Sequence, residues 1–168
     1  ERLAARGIEV GHIFYFGTKY SKPMNAVVAG PGGEQITVEM GSYGIGVSRL
    51  VGGIIEASHD DAGIVWPESV APFKVAIVNL KPDDGAVSGA CVKLYDALTA
   101  KGVAVLHDDR DLRPGAKFAD MELIGIPHRL VVSDRGLEHD QIEYKARDQA
   151  EPQMLPLQEV VNRLKSLV

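Results

Sequence analysis

From residue 73 onward the apolar positions change period in a regular way. Residues 73–80 form a run rich in Val and Ile, the composition of a strand buried on both faces. The turn formers Lys81-Pro82-Asp83-Asp84-Gly85 end it. Val87, Cys91, Leu94, Tyr95 and Leu98 then recur at three- and four-residue spacing, which predicts a helix with one apolar face, closed by Gly102. Residues 103–107 read as the next strand, Pro114-Gly115 as a break and 116–124 as a helix. Residues 129–132 and 141–147 read as strands, and 156–167 as a terminal helix with Leu157, Val160, Val161, Leu164 and Leu167 on one side. The order strand, helix, strand, helix, strand, strand, helix predicts an α/β domain: a mixed, largely parallel sheet with helices against its faces.

The first part of the chain is patterned differently. Residues 7–16 and 34–43 read as strands, the second with Ile36, Val38 and Met40 alternating with Gln35, Thr37 and Glu39. Between them Ala29-Gly30-Pro31-Gly32-Gly33 suits an antiparallel connection, and a helix follows over 47–59. These elements are too few to close a core. Residues 1–70 are therefore expected to be the end of a larger domain, and residues 71–168 a complete one. The boundary is placed in Trp66-Pro67-Glu68-Ser69-Val70-Ala71-Pro72, whose prolines end regular structure.

Composition narrows the class. The 168 residues are 45% hydrophobic and 24% charged, which is ordinary for a globular protein and unlike a disordered chain. Every apolar run falls short of the roughly 20 residues a membrane-spanning helix needs, and Glu1-Arg2-Leu3-Ala4-Ala5-Arg6 lacks the apolar stretch of a signal peptide. A cytoplasmic protein is expected. The single cysteine, Cys91, sits in an apolar helical run and reads as a buried structural thiol. A net charge of −5 argues against a broad basic face, so nucleic-acid contact is expected to be local. Arg110, Arg113, Lys117, Arg129 and Arg135 cluster in sequence, interleaved with Asp108, Asp109, Asp111 and Asp120. On composition alone they are equally well a solvated surface of mixed sign.

The stretch richest in chemistry is Gly41-Ser42-Tyr43-Gly44-Ile45-Gly46-Val47-Ser48-Arg49, a strand passing through glycines into a helix with an arginine in its first turn. Glycines permit close backbone approach to a flat ligand, and arginine forks onto phosphate oxygens. Gly44-Ile45-Gly46 lacks the third glycine of a dinucleotide fingerprint, and the chain has no Walker-type loop. The plain reading is tight strand-to-helix packing with an exposed arginine. The five histidines and one cysteine have no zinc-ligand spacing, and no nucleophile elbow accompanies the serines. Asp108 and Asp109 are adjacent on a strand and point to opposite faces, so they fit strand-end contacts or an RNA-binding edge better than paired acid-base work.

That glycine stretch resembles motif 3 of class II aminoacyl-tRNA synthetases. Gly11-His12-Ile13-Phe14, Gly17-Thr18-Lys19-Tyr20-Ser21 and Gly63-Ile64-Val65-Trp66-Pro67 resemble segments of bacterial-type prolyl-tRNA synthetases, in the same order. Asp108-Asp109-Arg110, Arg113-Pro114-Gly115-Ala116-Lys117-Phe118 and Glu122-Leu123-Ile124-Gly125-Ile126-Pro127 are similar to that family's anticodon-binding domain. The resemblance implies the end of a class II antiparallel-sheet catalytic domain followed by a mixed, largely parallel α/β anticodon-binding domain. It implies an enzyme that activates proline with ATP and Mg2+ and transfers the prolyl group to proline tRNA. On it, Arg49 is the catalytic arginine on the ATP phosphate. Glu9, Gly44, Gly46 and Arg49 bind ATP, with Glu9 also meeting the ATP-bound magnesium. His12, Ser42 and Gly44 form the proline pocket, where Ser42 replaces the cysteine common in the family. Asp109, Arg110, Arg113, Lys117 and Glu122 are the anticodon residues.

Motifs 1 and 2 of the family have no counterpart among these residues, so the chain alone is expected to be inactive, and homodimerisation is expected of the longer parent through motif 1. Two readings from other classes remain beside it. One is a free-standing RNA-binding module; the other is a structural or regulatory domain in which Arg49 serves only packing.

Overall fold

A computed structural model describes Ala4 and residues 6–167; residues 1–3, 5 and 168 and the side chains of residues 165–167 lie outside the described residues. The chain divides into two compact units, residues 1–54 and 55–168.

In the first unit, β1 (Gly11–Gly17) pairs antiparallel with β4 (Met40–Ile45), and β2 (Val27–Ala29) pairs with β3 (Gln35–Thr37) as a separate hairpin. The strand expected over 34–43 is thus two strands in two sheets. Unbroken alternation hides the change at Val38-Glu39, but Gly33 takes φ 83°, turning β3 back onto β2, while Val38 N donates to Ala26 O at 3.1 Å. The first strand begins at Gly11 rather than residue 7. Helix α1 (Val47–Ala57) stops two residues short of the expected 59, because His59 enters the short hairpin β5 (His59–Asp60) and β6 (Gly63–Ile64). Among the described residues of the first unit only Ser21 is buried, and Ile13, Tyr15, Tyr43 and Ile45 are exposed on the β1–β4 ribbon.

The second unit is a three-layer α/β domain. Its sheet has the order β11 (Gln153–Pro156), β10 (Gln141–Ala146), β9 (His128–Val132), β7 (Val75–Asn79), β8 (Val105–Asp108). Strands β8, β7 and β9 are parallel, and β9, β10 and β11 antiparallel, the mixed sheet expected. Every residue of the central strand β7 is buried, which explains its uninterrupted apolar composition. One face of the sheet, with Val75, Ile77, Leu130, Val132 and Ile142, packs against α2 (Gly85–Thr99) through Val87, Cys91, Leu94 and Leu98, and against α5 (Leu157–Leu167) through Val160 and Leu164. The opposite face, Ala76, Val78 and Val131, packs against Met121 of α3 (Pro114–Ile124) and Ile126.

Local chemistry sets the element ends. Asp84 caps α2 by accepting from Ala86 N and Val87 N at 2.8 and 3.1 Å. Pro114 occupies the first turn of α3, whose donors need no intrahelical partner, and Gly125 ends the helix in the left-handed region at φ 76°. The short helix α4 (Asp134–Leu137), capped by Ser133, and strand β11 escape the apolar pattern because neither is long enough to show a period. Residues 55–70, expected from the sequence pattern to end the earlier domain, fall in the second unit. Trp66 Nε1 donates to Ile124 O at 3.0 Å, and Arg147 holds both oxygens of Asp60 at 2.6 and 2.7 Å.

Among the described residues, all buried hydrophobic side chains of the core lie between positions 75 and 164. Residues 55–168 expressed alone are therefore expected to unfold in one cooperative thermal transition, and residues 1–54 in none. A sharp transition from the shorter piece in calorimetry would contradict this.

Candidate nucleotide and RNA sites

Antiparallel pairing of β1 with β4 places His12 opposite Gly44 and Phe14 opposite Ser42, so these four positions share one face of the ribbon. His12 stacks on Phe14 with ring centroids 4.1 Å apart, and Phe14 on Phe16 at 5.8 Å. A side chain added at Gly44 would meet nothing within 4 Å, which leaves a bare stretch of backbone beside the His12 ring. Gly46 N donates to Val10 O at 2.8 Å and tethers the start of α1 to the strand. One turn into that helix, Arg49 Nη1 donates to Glu9 O at 3.0 Å and lies 3.6 Å from Glu9 Oε1, while His12 Nδ1 is 3.7 Å from Glu9 Oε2. All three side chains are more than half exposed, so the attraction holding them together is weak and the groups face solvent. The structure thus brings Glu9, His12, Ser42, Gly44, Gly46 and Arg49 into one neighbourhood.

The second constellation follows from the topology of the sheet. After β7 the chain passes through α2 on one face, and after β8 through α3 on the other, so the carboxyl ends of these adjacent strands open a crevice where α/β sheets bind ligands. The loops after β7 and β8 flank a cleft of about 440 Å³ lined by Leu80, Lys81, Asp83, Asp84 and Asp111. Asp109 and Arg113 are exposed beside it, on the loop leading to α3. Lys81 is ion-paired with Asp134, which raises the lysine pKa and lowers that of the carboxyl.

Three of the expected anticodon residues are engaged within the domain. Lys117 is fully buried rather than a surface cation: its Nζ donates to Asn79 O at 2.6 Å and Asp108 O at 3.5 Å, with Asp108 Oδ1 3.9 Å away. Glu122 is committed on both oxygens, accepting from Arg129 and Lys145 on Oε1 at 3.1 and 2.9 Å and facing Arg147 Nε at 3.3 Å on Oε2. Arg110 is clamped by Asp108, through Nε and Nη2 at 2.9 and 2.8 Å, and by Asp120 at 2.8 Å. The guanidinium beside Asp108 lowers that carboxyl's pKa against the effect of its burial. Sequence reasoning missed Asn79 as an anchor, although a polar residue ending an apolar strand run marks it, and it read Asp108 as a strand-end contact without its partners. It also missed the Asp60–Arg147 pair, in which Arg147 pulls the Asp60 carboxyl far below its ordinary range, because the partners are 87 positions apart.

Burial pushes the His128 imidazole below its ordinary pKa against the pull of Glu68, whose Oε1 is 2.9 Å from Nε2 but outside hydrogen-bonding geometry; Nδ1 is 2.9 Å from Tyr144 Oη. Among the described residues no group of three or more His, Cys, Asp and Glu is placed to hold a metal, and no helix is long and apolar enough to cross a membrane.

The profile of the anticodon binding domain matches residues 74–167, more than half of the chain, and the chain belongs to that family. Over nearly its whole length it is similar to proline-tRNA ligases. It is 60% identical to that of Methylobacterium nodulans over 164 residues, 98% of this chain and 37% of the relative. It is 59% identical to that of Parvibaculum lavamentivorans over 155 residues, 92% of this chain and 35% of the relative. The chain therefore spans little more than a third of the curated relatives it matches. A solved structure, Giardia lamblia prolyl-tRNA synthetase in complex with prolyl-adenylate, superposes with a TM-score of 0.76 at 26% identity, covering 90% of this chain and 32% of that one.

Proposed function

We propose that this chain is the C-terminal part of a proline-tRNA ligase, in which residues 1–70 complete the ATP and proline site and residues 71–168 read the anticodon of proline tRNA. The observation that carries the reading is identity near 60% to proline-tRNA ligases across 98% of the chain, so that both units take part in the match. In the first unit the donor set fits the chemistry: the Arg49 guanidinium suits a triphosphate, Glu9 a magnesium ion held by it, and the bare backbone at Gly44 a flat ring or small substrate. His12 and Ser42, on the same face, supply polar groups for a proline amine or carboxylate. Catalysis, dimerisation and a cytoplasmic location belong to the longer ligase.

In the second unit the crevice is rich in carboxylates, which repel phosphates but accept hydrogen bonds from the exocyclic amino groups of unstacked bases. Asp109 and Asp111 are acceptors of this kind, and Arg113 is the nearby cation that positions the RNA backbone. The test is a gel shift of the 168-residue chain with the anticodon stem-loop of a proline tRNA. Arg113→Ala is expected to weaken binding about tenfold, the loss of one charge-assisted contact. A chain that binds this stem-loop no better than one with a different anticodon would overturn the assignment.

A further inference from the structure

We propose that Lys117 is a positioning residue for anticodon recognition: from inside the domain it ties together the two strand ends that flank the crevice and, through Asp108 and Arg110, fixes the loop that meets RNA. The proposal rests on the anticodon-reading role given above for residues 71–168.

A lysine with no exposed surface is costly, because its ammonium is taken from water and needs compensating partners. Those partners are specific. Asn79 O, at 2.6 Å, is the last carbonyl of β7, and Asp108 O, at 3.5 Å, is the last of β8. The ammonium therefore lies beneath the point where the two strands part, and it holds their carboxyl ends at a fixed separation. The Asp108 carboxylate, 3.9 Å from Nζ and only 4% exposed, supplies the countercharge.

Asp108 passes the constraint outward. Its Oδ1 accepts from Arg110 N at 3.2 Å as well as from Arg110 Nε, and its Oδ2 from Nη2, so backbone and side chain of Arg110 are both pinned. Arg110 Nη2 continues to Asp120 on α3 at 2.8 Å, and Arg110 O accepts from Leu112 N at 3.0 Å. Lys117, Asp108, Arg110 and Asp120 thus form one chain of ion pairs leading from the core to the loop. All residues of that loop are exposed, and the side chains of Asp109 and Arg113 take no part in the network and are left to face a ligand. Such a network is strongest when dry, and its inner half is.

The experiment compares Lys117→Met, Asp108→Asn and the double variant in the full 168-residue chain. It follows amide exchange at Arg110 and Leu112 and binding of the proline anticodon stem-loop over a range of salt. Met keeps the length of the lysine and leaves Asp108 paired with Arg110, so the fold is retained; if it is not, Asp108→Asn carries the same measurements. Lys117→Met is expected to speed exchange at both amides and to weaken stem-loop binding about tenfold. The slope of log affinity against log salt is expected not to change, because a buried ammonium neutralises no phosphate. The double variant is expected to be no worse than the worse single one, as for members of one network.

A slope reduced by about one unit would show that Lys117 touches phosphate itself, and would overturn the proposal. Unchanged exchange and unchanged binding would overturn it too, leaving Lys117 a core residue only. Should the wild-type chain fail to bind the stem-loop, the anticodon reading falls, and faster loop exchange in Lys117→Met still decides whether the lysine positions the loop.

Discussion

Arg49→Ala in the whole ligase is expected to abolish proline-dependent pyrophosphate exchange while leaving proline tRNA binding nearly unchanged. Arg49 belongs to the first unit, beside Glu9 and one helical turn after Gly46, whereas the crevice proposed to meet RNA is built entirely from residues of the second. A charge-assisted contact to a phosphate contributes about 1.5–3 kcal/mol in general, and more where charge develops in the transition state, as in phosphoryl transfer. Folding is not expected to suffer, because the Arg49 side chain is 59% exposed and its ion pair with Glu9 is open to water. Exchange activity near that of the wild type would remove Arg49 from the ATP site. Arg49→Lys keeps the charge but loses the planar fork, so a large loss in that variant as well would identify bidentate recognition as the property that matters.

The largest effect on stability is expected at Gly125. This residue ends α3 at φ 76°, a conformation that costs an ordinary L-residue about 1–2 kcal/mol. The clash is worse than the strain: a Cβ at this position would sit 2.0 Å from Ile64 O and 2.8 Å from the Ile64 side chain. Neither can yield without moving the β5–β6 hairpin away from α3. Gly125→Ala is therefore expected to lower the melting temperature of residues 55–168 by roughly 10 °C or more, on the scale of a few degrees per kcal/mol for a domain of this size. A substitution of comparable size at Gly115, where an added Cβ meets nothing within 4 Å, is the control and is expected to shift it little. Equal melting temperatures for the two variants would mean that the hairpin is not docked as described.

How far the sequence reveals this arrangement depends on the range of the forces involved. The second unit is legible because its elements are fixed by local pattern: the apolar β7, the one-sided α2 and the Pro114-Gly115 break at the start of α3 each carry their own signal. The grouping of Glu9, His12, Ser42, Gly44 and Arg49 came from resemblance, and strand register then explains it, since pairing His12 with Gly44 brings together residues more than thirty positions apart. What the sequence hid is the direction in which charges face. Lys117 lies three residues after Pro114 in a helix whose apolar pattern is weak, and nothing local distinguishes a buried ammonium from an exposed one. The same holds for Glu122, whose three cationic neighbours come from β9, β10 and the residue after it.

One buried group has a practical value apart from recognition. Cys91, the chain's single cysteine, lies within the core between α2 and the sheet, and burial pushes its thiol up to about 11. At neutral pH it is both protonated and shielded, hence inert towards alkylating reagents. Its modification requires the domain to open, so the rate of labelling at this one sulfur serves as an internal clock for opening of the α2 side of the domain, read without introducing any probe.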